Sequence, residues 1–152
     1  MKILAIIAVV AVVIIALIST LKKSTVKKLI HYLEESEFES FYKDIDSTKT
    51  KLLLPKMSIL DMKLNAEIVQ QNKNNIDALF DEICSLPLTP SQKEHYYMKA
   101  FNYYVSLSDK KHTKKYIHLI NELPNERMKL IANRVYDYSI LTNYKDIRSL
   151  LV

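Results

Sequence analysis

The sequence predicts an all-α protein: an N-terminal transmembrane helix followed by stacked antiparallel helical hairpins, about three units of them. Three observations predict it. Residues Ile3 to Ile18 are sixteen consecutive apolar side chains, extended by Ser19, Thr20 and Leu21. The 152 residues contain no glycine. Beyond Pro55, twelve-residue helical patterns recur at a spacing of 34 and then 32 residues.

The apolar run comes first in the chain. Nineteen helical residues at 1.5 Å each span roughly 28 Å, about one bilayer core. The run exceeds the 7–15 apolar residues of a signal peptide, and no A-x-A site follows it. Lys22, Lys23, Lys27 and Lys28 follow instead. These observations predict an uncleaved single-pass anchor over residues 1–23, touching the bilayer through residues 3–21. The four lysines are the candidate membrane-surface residues. Their excess over Lys2 predicts a cell-membrane location with the remainder of the chain on the cytoplasmic side.

Charge supports the same organisation. Of the 22 Lys and Arg, five lie at or before Lys28; all 17 Asp and Glu lie at or beyond Glu34. The chain beyond Lys28 is therefore net neutral, and the +5 sits around the apolar run. A nucleic-acid domain carries its basic excess on the folded part, so no nucleic-acid partner is expected.

Composition excludes several chemistries. Average usage would supply about ten glycines. Without any, the P-loop, the dinucleotide fingerprint and the nucleophile elbow are excluded, because each needs glycine at a close or left-handed backbone position. Cys84 is the one cysteine, set in an apolar-periodic helix with Leu79, Phe80, Ile83 and Leu86. An inert, half-buried thiol fits that setting better than a nucleophile. His31, His95, His112 and His118 show no metal-ligand spacing with it. No catalytic residue, metal site or cofactor is expected, and the chain reads as a non-enzyme.

The next elements follow from spacing. Val26, Leu29, Ile30 and Leu33 continue the first helix. Phe38, Phe41, Tyr42 and Ile45 predict a second, about 37–46. Residues 47–51 read as a connector, and Pro55 fits the first turn of a following helix. Residues 24–54 thus form a juxtamembrane helical segment, and residues 55–152 a repeat domain.

The repeat rests on three ungapped segments: ILDMKLNAEIVQ from Ile59, KEHYYMKAFNYY from Lys93 and NERMKLIANRVY from Asn125. Matching columns hold Met62, Tyr96, Met128; Leu64, Met98, Leu130; Ala66, Ala100, Ala132; and Val69, Tyr103, Val135. A small residue in mid-helix permits close helix approach. The partner segments from Asn75 and His112 align Phe80 with Ile117, Ile83 with Ile120 and Leu86 with Leu123. Ile147 and Leu150 suggest a shorter closing version. Polar clusters at 72–75, 108–110 and 142–143 mark the turns.

A period near 34, with helix–turn–helix units, small residues in the first helix and proline after the second, resembles the tetratricopeptide repeat. The resemblance spans about residues 57–152. Ala66, Ala100 and Ala132 match that family's small position, and Ala78 matches the one in the second helix. The family's turn glycine is absent here. The resemblance implies a groove lined by first helices, which would bind a protein or peptide. Lys63 and Glu67, then Glu94, Tyr97, Phe101 and Tyr104, then Lys129 and Asn133 would face it. Tyr97, Phe101 and Tyr104 form one stripe at i, i+4, i+7. That stripe is either an exposed aromatic patch or core. Two functions remain open: a membrane-tethered protein–protein interaction module, and a structural or assembly subunit of a larger membrane complex.

Overall fold

The structure is a computed structural model that describes the backbone of residues 2–144 and the side chains of residues 10–139. The described residues form eight helices: α1 (Lys2–Glu34), α2 (Phe38–Ile45), α3 (Thr48–Leu53), α4 (Lys56–Gln70), α5 (Lys73–Ser85), α6 (Pro90–Ser106), α7 (Lys110–Asn121) and α8 (Glu126–Tyr144). They pack in neighbouring pairs, an arrangement compatible with a helical repeat. The chain divides into two compact units, residues 1–79 and 80–152, with the boundary inside α5.

The transmembrane expectation is corrected. Among the described residues, no helix is long and apolar enough to cross a membrane. α1 is a continuous helix of 33 residues, and its described apolar side chains give way to lysine after Leu21. The helix then carries Lys22, Lys23, Lys27 and Lys28 within its next seven residues. The side chains of residues 3–9, the first part of the expected span, lie outside the described residues. The single-pass topology and the cell-membrane location fall with the span.

In the first unit the last third of α1 packs on α2 and α3. Leu29, Phe41, Ile45, Leu54, Ile59 and Ala66 form the core, bordered by Val26, Tyr32, Leu33, Tyr42, Leu53 and Met62. The helical spacing of Phe41 and Ile45 puts both on the buried face of α2. Full burial of such side chains contributes about 1.5–3 kcal/mol each. Residues 48–51, expected as a connector, belong to α3. Ser47 caps that helix by accepting from the Thr50 N–H at 3.2 Å. Pro55 is the N-cap of α4 rather than part of its first turn.

The second unit is built on α6 against α7, with α8 packed on α7. Thr89 and Gln92 close a capping box on α6, and Pro90 is its first residue. Asp109 caps α7 by accepting from the His112 N–H at 3.1 Å. Asn125 does the same for Met128 at the start of α8.

Three corners share one solution to the lack of glycine. Ser36, Gln71 and Ser108 adopt left-handed backbone, with φ of 60°, 58° and 54°. At each, the next N–H donates to a carbonyl five residues back: Glu37 to Tyr32 at 2.8 Å, Asn72 to Glu67 at 3.1 Å and Asp109 to Tyr104 at 2.9 Å. The left-handed residue itself donates three back, to Leu33, Ile68 and Val105. This is the Schellman pattern that glycine ordinarily serves. The turns are therefore shorter than the polar clusters suggest. α5 begins at Lys73, inside the cluster expected at 72–75, and α8 continues through 142–143 to Tyr144. The short closing segment with Ile147 and Leu150 lies outside the described residues.

Candidate partner-binding surface

The structure tests the alanine column directly: Ala66, Ala100 and Ala132 are all fully buried. The residues around them divide. Leu64 and Tyr96 are buried, whereas Val69, Leu130 and Val135 of the packing columns are exposed.

The aromatic stripe is core. Phe101 is 0 % exposed and Tyr104 is 1 % exposed. Tyr104 stacks on Tyr116 at 5.6 Å between centroids and on His112 at 4.5 Å, and Phe80 lies 5.8 Å away. α7 supplies Tyr116 and His112, which periodicity along α6 alone does not reveal. Tyr97 is half-buried, 6.5 Å from the Tyr116 ring. Burial, followed by the nearby Cys84 and Glu122, raises its hydroxyl pKa.

The polar members of the expected groove are engaged within the fold. The Asn125 amide donates to Glu94 at 3.0 Å. Lys129 pairs with Glu126 at 2.8 Å, and Asn133 exchanges hydrogen bonds with Asn121 at 2.8 and 3.3 Å. In the first unit Glu67 is buried and accepts from the Tyr42 hydroxyl, to which the Gln70 amide donates at 3.1 Å. Burial, and then the Glu67 carboxylate, pushes the Tyr42 pKa well up. Lys63 reaches Asp46 at 2.8 Å, and Lys51 reaches the same carboxylate at 3.4 Å. Burial opposes ionisation of Asp46, but Lys63 and Lys51 outweigh it and hold the pKa below the usual value. Apart from Lys129, whose partner lies on its own helix, these residues link neighbouring elements of their own unit.

The lysines after the apolar run also divide. Lys28 pairs with Asp44 at 2.7 Å and lies 5.3 Å from the Tyr32 ring centroid. The hydrogen bond to Asp44, reinforced by Tyr32, raises its pKa. Lys22, Lys23 and Lys27 line an open groove along α1 with Val26 and Ile30. Cys84 is half-buried, and burial raises its thiol pKa against the opposing effects of Tyr116 and Lys115. Among the described residues, no group of His, Cys, Asp and Glu is placed to hold a metal ion.

Among the described residues, two stretches of exposed apolar side chains stand out. On α8, Ile131, Val135 and Tyr138 lie at i, i+4, i+7 with exposures of 49 %, 36 % and 71 %, and Leu130 beside them is 53 % exposed. On α1, the exposed large apolar residues from Val10 to Leu21 range from 41 % to 67 %. The α8 stripe was not among the sequence candidates. Leu130 and Val135 sit in repeat columns that suggest packing, and only the neighbouring Ile131 and Tyr138 could have signalled a second apolar face.

No protein-family model, curated protein or solved structure matches the chain.

Proposed function

We propose that this chain is a non-enzymatic protein-interaction module built from tetratricopeptide-like helical hairpins, with its partner on α8. The α8 stripe carries the reading. Contiguous exposed apolar side chains mark interaction surfaces, and aromatic anchors such as Tyr138 are favoured at interface centres. The buried alanine columns and the repeated glycine-free corners support the hairpin architecture. The partner is a protein or peptide with a complementary apolar face.

Crosslinking capture from cells with the full chain tests this. The double variant Val135→Glu, Tyr138→Ala should weaken capture by more than about 2 kcal/mol, roughly thirtyfold. Helicity and melting should stay near those of the parent chain, since both side chains are exposed. Undiminished capture would remove α8 from the interface, and loss of fold would make the stripe structural.

The exposed apolar segment of α1 favours a second reading, that of a structural or assembly subunit. Such a segment suits a permanent complex better than an exchanging one. A full chain that is stable only when co-purified with a stoichiometric partner would favour this reading over the first.

A further inference from the structure

We infer that α1 is a rigid stalk, which fixes the orientation of its exposed apolar segment relative to the core of the first unit. Three observations on that unit carry the inference. The helix runs from Lys2 to Glu34 without a break, and those residues include no proline or glycine. Kinks in helices arise at proline, at glycine, at bulges or where a group enters the hydrogen-bond ladder. Among the described residues of the shaft, the Thr20 hydroxyl donates to the Ala16 carbonyl at 2.9 Å, a contact that bends a helix slightly and does not break it.

The far end of the same helix is built into the core. Leu29 is fully buried, and Val26, Tyr32 and Leu33 pack around it against α2 and α3. Lys28 adds a clamp from the side through Asp44 of α2. The apolar segment and the core are thus two parts of one rod. Val10 and Leu29 stand about 28 Å apart along the axis. Their angular relation is fixed too, because each residue advances the helix by about 100°. A flexible linker would let the unit sample many directions. This arrangement permits one.

The consequence is a phase rule. One residue added between Leu21 and Lys22 rotates the folded unit by about 100° about the stalk and lifts it by about 1.5 Å. Two glycines at the same point replace the rod with a hinge.

Distance distributions between paired spin labels test this in the full chain, held in a mild detergent because the shaft is exposed. The labels are placed by Val13→Cys and Lys43→Cys in a Cys84→Ser background, with circular dichroism confirming the fold. We expect one narrow distribution for the parent chain. A single alanine inserted after Leu21 should move the peak and keep its width. A Gly-Gly insertion there should broaden it by at least about twofold, as glycine's backbone freedom requires. A broad or multi-peaked parent distribution would overturn the inference. So would fast hydrogen exchange at the amides of Lys22 to Lys28, since a continuous helix protects them.

Discussion

The two units solve the same packing problem with different materials. The first has a largely aliphatic core, with Leu29, Ile45, Leu54, Ile59 and Ala66 around Phe41. Its helices are fastened by polar links: Tyr42 to Glu67, Lys28 to Asp44, and Lys63 and Lys51 to Asp46. The second is fastened by rings. Phe80, Tyr104, Tyr116 and His112 lie within 6.0 Å of one another in successive contacts. Packing of phenyl and phenol rings does not depend on charge, whereas charged links respond to acid and salt. The second unit keeps such links beside its rings, His112 with Asp109 and Lys115 with Asp81. The difference teaches that polar links bear more of the helix packing in the first unit and rings more of it in the second.

The largest expected effect falls on the aromatic side. Phe80→Ala removes a fully buried ring that contacts Tyr103, Tyr104 and Tyr116. A loss of about 3–5 kcal/mol is expected. Residue-level hydrogen exchange should show it mainly at the amides of α6 and α7. An equal loss of protection in α2 and α3 would mean that the two units unfold as one, and the comparison between them would collapse.

The polar side should respond to smaller changes and to pH. Tyr42→Phe keeps the ring and removes the donor to the buried Glu67 carboxylate. A cost of about 1–3 kcal/mol follows from leaving a buried charged acceptor short of a partner. Asp46 has a folded pKa below its unfolded value of about 3.9. Its contribution is therefore fully present above that value and is lost as pH falls through the lower folded pKa. Because Asp46 and Lys51 are partly exposed, solvent and salt hold the contribution below about 1 kcal/mol. Lys63→Met should flatten part of the acid dependence of α2 protection. An unchanged acid profile in that variant would show that the Lys63 link carries none of it.

How far the sequence reveals these features depends on the range of the interaction. The amphipathic spacing of Phe41, Tyr42 and Ile45 places α2 correctly, and the 34-residue spacing picks out Ala66, Ala100 and Ala132 as buried. Both are local or periodic signals. α3 escapes notice because six residues hold too little of a helical period, and its cap Ser47 stands in a polar tract typical of connectors. Phe101 and Tyr104 could be core or groove because periodicity identifies a face and not what covers it. Glu67 was expected on a groove because the tetratricopeptide resemblance places its column there; only the tertiary fold brings Tyr42 to it. The apolar run also shows the limit of counting hydrophobic residues. Its described part ends at Leu21, where the helix continues into lysines and then into the core.

The smallest effect is the one that glycine's absence makes informative. Ser108 holds φ at 54° between α6 and α7, where Asp109 donates to the Tyr104 carbonyl at 2.9 Å. A non-glycine residue pays about 1–2 kcal/mol in that region through contact between Cβ and the backbone. Glycine would relieve this, while its extra freedom in the unfolded chain takes back about 0.5–1 kcal/mol. Ser108→Gly should therefore stabilise the second unit by a net amount of up to about 1 kcal/mol, and Gln71→Gly should act similarly on the first. Chemical denaturation followed separately in the two units measures both. If either glycine destabilises its unit, the left-handed corner is not the strained element that its dihedral indicates, and contacts of the native side chain must outweigh the relief. Stabilisation at both corners would show that the two units share their turn energetics even though their cores are held by different forces.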